Sequence, residues 1–409
     1  MNDNNKMIKN ENIICIAPNP WFDLWRRRHQ LMSRFAKYNR VLYIEPPRSI
    51  FSPFVDKKTR GWPLSFRFGL HREKDNLNIY SPLNLFPFNR IKFLNKLNDI
   101  YIMWKIRRII RRLKIDNAIL WVYYSPKTLL LMKAISQEIH PKLICHDCYD
   151  KFTGYGGGCG RKRDEIEKTE KEIVERSDLV FAVSFPLKRY LQNFKEVVYL
   201  IPNAVSEYFL EEKHYHDNLH EDSELDNISK PIIGYIGFIG YKVDFDILIQ
   251  IAQSRPGWSL VLIGPVDRVN VNSEKIKALN NMSNVYFVPQ VPPKMIPLYL
   301  KQIDVCLMPF KSYEQINYCS CSPNKLFEYL GLGKSIVSVP LEGIQDFAEV
   351  IEIAYKKDEF VPCIERALKR DNENLIGKRI EIARNNTWDQ RVEEISDLIK
   401  GQIHQKCYS

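Results

Sequence analysis

The sequence predicts an α/β protein with two doubly wound parallel-sheet domains. Short apolar runs of strand length, the first at 13–17, alternate with longer amphipathic segments of helical period. The alternation starts again at Pro231, where IIGYIG opens a second series of strands and helices. A chain of 409 residues is also longer than one hydrophobic core usually supports. We therefore expect a first domain over 1–205, a second over 206–385, and a C-terminal helix over 386–409 that packs back on the first domain.

Composition and cysteine usage favour a cytoplasmic protein. No run approaches 18 apolar residues, so we expect no transmembrane span. The polar start MNDNNKMIKNEN lacks the apolar core of a signal peptide. The nine cysteines are an odd number and lie scattered along the chain, which indicates reduced thiols rather than a disulfide framework.

The net charge of +11 is unevenly distributed. Residues 1–205 contain 37 lysines and arginines against 20 acidic residues, a balance of +17, whereas the remainder carries −6. The first half should therefore attract an anionic partner. We expect no nucleic-acid partner, because the basic residues recur on one predicted helix and no nucleic-acid module is recognisable. An anionic inner-membrane surface is the remaining candidate.

That helix is predicted over 90–114, after an irregular, proline-rich excursion over 48–87. Its apolar side includes Leu94 and Trp104, and it ends in the basic sequence KIRRIIRRLK. Basic amphipathic helices commonly lie on anionic membranes. A core helix with a solvated basic face fits the same pattern, so both interpretations stay open.

The first strand at 13–17 is followed by PNPW where a doubly wound domain usually has a glycine-rich turn. A rigid aromatic loop at this position suits acceptor recognition, so Trp21 is a candidate acceptor contact. Ordinary packing of the indole is the alternative.

A second candidate site follows the predicted strand over 142–146. His146, Asp147 and Asp150 stand at its end, before the glycine-rich sequence GYGGG, where open α/β sheets bind ligands. We predict Asp150 as a general base, Asp147 as its support or substitute, and His146 as an acceptor contact. The alternative is that these carboxylates cap turns.

Two cysteine pairs, Cys145/Cys148 and Cys319/Cys321, have spacings that occur in zinc sites. The first pair begins inside a strand, where residues three apart face opposite sides. We therefore predict no metal site.

The segment SPNKLFEYLGLGKSIVSVP, 322–340, predicts a helix followed by a buried strand. Ser322 is a suitable N-cap, and the free N–H groups of a helix start can bind phosphate. Lys325 lies in the first turn and Glu328 one turn deeper on the same face, about 5 Å along the axis. A cation for a diphosphate and a carboxylate for ribose hydroxyls fit a nucleotide-sugar site, although a surface Lys–Glu pair is the alternative.

The same segment resembles a pattern of the GT-B glycosyltransferases, P-x-K-x-x-E-Y-x-x-x-G-K. The matching residues are Pro323, Lys325, Glu328, Tyr329, Gly333 and Lys334. The resemblance implies two Rossmann-like domains facing a cleft, with Glu328 on the nucleotide ribose. The sequence further resembles bacterial cell-surface glycosyltransferases of the teichuronic-acid and capsule type, through PWFD at 20–23, the Asp147/Asp150 loop and IGYIG…LIGP.

The resemblance implies three more donor contacts. In GYIGFIGYK, 234–242, Gly237 would let the main chain approach the diphosphate, and Lys242 would assist unless it is an ordinary loop cation. The main chain of Val291, in VPQVPP, would pair with the edge of uracil.

These features together predict a metal-independent hexosyltransferase with no cofactor, since the nucleotide sugar is its substrate. It would move a sugar from a nucleoside diphosphate donor, for which we expect UDP, to a cell-surface glycan or lipid-linked acceptor. The alternatives are a nucleotide-sugar epimerase of the same fold and a non-catalytic protein that binds membrane or glycan.

Overall fold

The computed structural model describes residues 6–22, 25–49, 68–86, 91–152, 161–211, 224–267, 273–311 and 324–408. The chain forms two compact units. The first comprises Met1–Val183, Leu187–Ile201 and Arg391–Ser409, and the second comprises Ser184–Pro186 and Pro202–Gln390.

The first unit contains eight described strands. They are β1 (Asn12–Ile16), β2 (Arg40–Ile44), β3 (Gly69–Lys74), β4 (Leu77–Ser81), β5 (Ile119–Val122), β6 (Leu143–Cys148), β7 (Leu179–Ala182) and β8 (Tyr199–Leu200). They form one sheet in the order β3-β4-β2-β1-β5-β6-β7-β8, parallel except for β3. The inner strands are buried on both faces, as expected for apolar runs in a parallel sheet.

Helices connect these strands. They are α1 (Arg27–Phe35), α2 (Lys92–Arg112), α3 (Thr128–Ile139), α4 (Arg161–Arg176) and α5 (Phe185–Leu191). From β1 the chain adds β2, β4 and β3 on one side of the sheet, and then returns to add β5 to β8 on the other side of β1. Doubly wound sheets bind ligands where the strand order reverses in this way.

The second unit repeats this architecture. Its described strands are β9 (Ile232–Ile236), β10 (Ser259–Ile263), β11 (Val285–Val288), β12 (Val305–Met308), β13 (Ser335–Ser338) and β14 (Glu352–Ile353). Its helices are α6 (Phe245–Ser254), α7 (Ser273–Asn280), α8 (Ile296–Gln302), α9 (Asn324–Gly331), α10 (Phe360–Arg370) and α11 (Glu373–Arg384). The parallel order β11-β10-β9-β12-β13-β14 places the switch point between β9 and β12.

The last helix, α12 (Trp388–Tyr408), belongs to the first unit from Arg391 onward. Lys406 Nζ lies 2.7 Å from Asp178 Oδ1 and donates to the main-chain oxygen of Lys142. Near the N-terminus, Lys6 pairs with Glu393. These contacts tie the C-terminal helix to the first unit, as predicted.

The prediction of an irregular excursion over 48–87 was wrong in its second half, because β3 and β4 lie there. Leu77 and Ile79 are fully buried, and β4 pairs in parallel with β2. The hydrogen bonds of β4 are made with β2, which is remote in sequence, so the local sequence pattern does not reveal the strand. Residues 50–67 lie outside the described part. Among the described residues, no helix is both long and apolar enough to cross a membrane.

Candidate active site

Helix α9 brings Lys325 to the switch point of the second sheet. The Lys325 ammonium lies 4.9 Å from the ring centre of Tyr235, on β9, and 5.5 Å from that of Phe310, just after β12. The two rings face each other edge-on, with centres 6.4 Å apart. Cation–π attraction therefore holds the lysine where the strands on either side of the crevice end.

Two glycines, Gly237 and Gly264, lie beside this ammonium with positive φ angles that other residues rarely adopt. Gly237 follows β9 with a φ of +137°, and a Cβ atom there would lie 2.5 Å from Lys325 Cε and 2.6 Å from Nζ. Gly264, after β10, has a φ of +134°, and a Cβ atom on it would collide with the main-chain oxygen of Gly237. The two loops thus expose main chain next to a fixed cation, an arrangement suited to a phosphate group.

Glu328 lies one turn further along α9 and is half-buried. Burial raises the pKa of its carboxyl to about 7, and the nearby Lys325 opposes this shift. This carboxyl is therefore only partly ionised at neutral pH, and its ionised form can accept hydrogen bonds from hydroxyls. Lys325 and Glu328 therefore lie about one turn apart on a single helix.

The other predicted donor residues are Lys242, Val291 and Ser322. The main-chain oxygen of Lys242 accepts a hydrogen bond from Lys311, joining the loop after β9 to the segment after β12. Val291 follows β11 and packs partly buried against the core. Both residues follow strands at the carboxyl edge of the second sheet, on the same edge as Gly237. Ser322 lies outside the described residues. The roles of all these residues stay predictions.

In the first unit, Asp147 is paired with an arginine that sequence reasoning missed. Arg27 Nε donates to both carboxylate oxygens, at 3.0 Å and 2.9 Å, and the two side chains are 4% and 0% exposed. Arg27 Nη1 also donates to the main-chain oxygen of Ile201. The run of three arginines at 26–28 was the available signal, but it could not show which one turns inward. Asp147 is thus held in a buried ion pair.

Asp150 stands two residues beyond β6. Its side chain is 4% exposed, and Oδ1 accepts a hydrogen bond from the main-chain N–H of Lys151 at 3.0 Å. The part of the following loop at 153–160 lies outside the described residues. The assignment of Asp150 as base stays a prediction, and the commitment of Asp147 to Arg27 favours Asp150 over Asp147.

The two predicted acceptor contacts are both enclosed. Trp21 is 3% exposed and packs edge-on against Trp25, His29 and Tyr43, while its main-chain N–H donates to Glu45. His146 is fully buried, because β6 continues through Cys148 instead of ending before the loop. Both assignments stay predictions, and the burial favours packing for Trp21 and speaks against an acceptor contact for His146.

Part of the second unit matches a known protein family in sequence. Residues 230–369 match the family model described as glycosyl transferases group 1. The chain is 26% identical over 278 residues to the putative teichuronic acid biosynthesis glycosyltransferase TuaH of Bacillus subtilis (strain 168), covering 64% of this chain and 68% of TuaH.

Solved structures establish the fold across the whole chain. Sucrose-phosphate synthase from Thermosynechococcus elongatus matches with a TM-score of 0.71 at 14% identity, covering 98% of this chain and 99% of that one. Anabaena HepE, solved in complex with UDP and glucose, matches with a TM-score of 0.64 at 11% identity, covering 96% and 99%. The fold is therefore that of the GT-B glycosyltransferases, as predicted.

Proposed function

We propose that this chain, whose residues 230–369 match the glycosyl transferases group 1 model and whose fold is GT-B, transfers a hexosyl group from a UDP-linked donor to a cell-surface glycan or lipid-linked acceptor. The observation that carries the proposal is the position of Lys325 against Gly237, with Glu328 one turn deeper on the same helix. The likeness to TuaH, whose name states teichuronic acid biosynthesis, supports the acceptor class. The complex of HepE with UDP supports the nucleotide.

The donor would bind at the carboxyl edge of the second sheet. Its diphosphate would lie beside the Lys325 ammonium and the exposed main chain at Gly237, with Lys242 and Ser322 as further contacts. Glu328 would accept hydrogen bonds from the ribose hydroxyls, and the main chain at Val291 would contact uracil. Fixed positive charge next to the leaving diphosphate stabilises the negative charge that develops there, so we propose that no metal ion or cofactor takes part.

The acceptor hydroxyl would lose its proton to Asp150. A general base must reach the hydroxyl within about 3 Å and must be ionised near neutral pH. Asp147, held by Arg27, would position the end of β6 and the loop that carries Asp150. This division of roles follows from the ion pair, because both carboxylate oxygens of Asp147 already accept hydrogen bonds from Arg27.

We further propose that α2 attaches the enzyme to the inner face of the plasma membrane from the cytoplasm. One face of α2 packs into the core through Ile102, Ile106 and Ile109. On another face, Phe93, Ile100 and Trp104 are 67%, 51% and 51% exposed. Their spacing of seven and then four residues forms one stripe along the helix.

Basic side chains border this stripe. Lys105 and Arg108 lie 5.2 Å and 5.7 Å from the ring of Trp104. Exposed aromatic and aliphatic side chains flanked by cations are typical of helices that lie in an anionic membrane interface. A lipid-linked acceptor would be reached from such a position.

The proposed donor site is tested by calorimetric titration with UDP, GDP, ADP and dTDP. We expect UDP to bind best, and Glu328→Ala to lose about 1.5–3 kcal/mol, which is a roughly ten- to hundredfold weaker affinity. Glu349→Ala, at an exposed position of the same unit, is the matched control and should bind UDP like the parent. Equal UDP affinity in Glu328→Ala and the parent would contradict the ribose assignment.

A further inference from the structure

A compact group of metal-ligating side chains lies in the first unit, outside the proposed donor and base residues. His146 and Cys148 are alternate residues of β6 and therefore share one face of the sheet, while Asp147 points to the other. Glu170, on α4, is packed on the His146 face. One ligand atom from each of the three lies within 4.8 Å of the others, and all three side chains are buried.

The imidazole of His146 has one nitrogen free to coordinate. Its Nδ1 lies 3.2 Å from the main-chain oxygen of Val122, so Nδ1 carries the proton and Nε2 carries a lone pair. Nε2 has no hydrogen-bond partner among the described residues. A neutral imidazole whose other nitrogen is fixed by a carbonyl is the usual form of a metal-binding histidine.

The other two donors are also held in place. Tyr190 donates a hydrogen bond to Glu170 Oε2 at 2.8 Å, which orients the carboxylate and leaves Oε1 toward Cys148, 3.9 Å from its sulfur. The Cys148 sulfur also lies 3.4 Å from the main-chain oxygen of Asp150. A fully buried nitrogen lone pair without a donor costs free energy, and a bound cation would satisfy it together with the thiolate and the carboxylate.

We propose that His146, Cys148 and Glu170 bind a structural transition-metal ion of the zinc type. One nitrogen, one sulfur and one carboxylate oxygen form a donor set that suits Zn²⁺. Bonds of about 2.0–2.3 Å require the three side chains to move about 1 Å closer together than they stand. Binding replaces the thiol proton of Cys148, and any proton on Glu170, by the metal ion, and these protons pass to solvent.

The position of the site gives it a structural role. It joins the end of β6 to the third turn of α4, on the far side of the loop that contains Asp150. The proposed ion would therefore link the strand that precedes that loop to the helix that follows it. The prediction of no metal site considered only cysteine pairs close in sequence, and Glu170 lies 22 residues from Cys148.

Cobalt substitution tests the proposal on the full-length chain. After removal of bound metal with a chelator, Co²⁺ is added under anaerobic conditions and the thiolate-to-cobalt charge-transfer band is recorded in the near ultraviolet. We expect one equivalent to produce the band in the parent protein and none in Cys148→Ser. Cys145→Ser, a buried cysteine of the same strand on the opposite face, is the matched control and should keep the band.

Two further variants keep the test decisive if Cys148→Ser fails to fold. Glu170→Gln retains the shape of the side chain and should weaken Co²⁺ more than about 100-fold, because a lost ligand costs more than a lost outer contact. The double variant Cys319→Ser/Cys321→Ser should keep the band. The proposal is overturned if the parent shows no band at stoichiometric Co²⁺, if Glu170→Gln binds like the parent, or if the band disappears with Cys319 and Cys321.

Discussion

The behaviour of the proposed donor site depends on two residues of α9 that influence each other. Lys325 is held between two aromatic rings, and its charge opposes the effect of burial on Glu328. The carboxyl therefore titrates at about pH 7, where a small change in pH alters its charge. A ligand that needs the carboxylate form as hydrogen-bond acceptor must bind less tightly as this group becomes protonated.

UDP affinity should therefore fall as the pH drops below about 7. One linked proton gives at most about a tenfold loss per pH unit. Calorimetric titrations of UDP from pH 5.5 to 8, roughly, would measure it, with Glu328→Gln as the control that retains only the titration of UDP itself. Parallel pH profiles in the parent and Glu328→Gln would contradict the linkage.

Buried polar side chains were the residues hardest to predict from sequence. Asp147 was recognised as a candidate because it ends a strand before a glycine-rich loop, but its partner Arg27 lies 120 residues earlier. The same limit applies to His146, which the pattern placed at the end of a strand and the structure places inside it. Sequence order gives the chemical type of a residue, whereas its partner depends on how distant strands and helices pack.

At the scale of elements, the sequence predicted well wherever a local pattern has a direct physical cause. Helix α2 was predicted over 90–114 and spans Lys92–Arg112, because its apolar residues repeat with helical period. The strands β3 and β4 were missed because their pairing partners, not their own composition, stabilise them. For α2 the periodicity could not distinguish core from surface, and the structure shows both: one buried face and one exposed apolar stripe.

The exposed stripe of α2 should bind anionic vesicles. We expect the parent protein to sediment with vesicles containing acidic lipids, and not with neutral ones, and to dissociate as salt is added. Trp104→Ser/Lys105→Glu removes one aromatic anchor and reverses one charge, so binding should fall about tenfold or more.

Tyr355→Ser/Lys356→Glu makes the same changes at an exposed pair in the second unit and should bind like the parent. Equal sedimentation with both vesicle types, or an equal loss of vesicle binding in the two double variants, would contradict the proposed attachment.

At the scale of the whole molecule, the proposed tasks are divided between two units with opposite charge balance. The candidate donor residues, from Gly237 to Glu328, belong to the second unit, and Asp147 and Asp150 belong to the first. The excess of +17 lies in residues 1–205, which include α2. This separation was foreseeable from the sequence, because the α/β alternation restarts at Pro231 and the charge changes sign near the same point.

The division of tasks leads to a prediction in which turnover and donor binding separate. Asp150→Asn keeps the size of the side chain but removes the proposed base, so turnover should fall by roughly 10²–10⁴. UDP affinity should stay nearly unchanged, because the donor residues lie in the other unit. Turnover is measured as UDP release in the presence of acceptor, with affinity measured by calorimetry on the same samples.

Two further variants, one of them a control, show which carboxylate acts as the base. Asp116→Asn changes an exposed aspartate of the first unit and should behave like the parent in both measurements. Asp147→Asn breaks the buried pair with Arg27, so it should lower the melting temperature as well as turnover, whereas Asp150→Asn should lower turnover with little change in melting temperature. Near-normal turnover in Asp150→Asn with an inactive but folded Asp147→Asn would transfer the role of base to Asp147, and near-normal turnover in both would leave the reaction without an aspartate base.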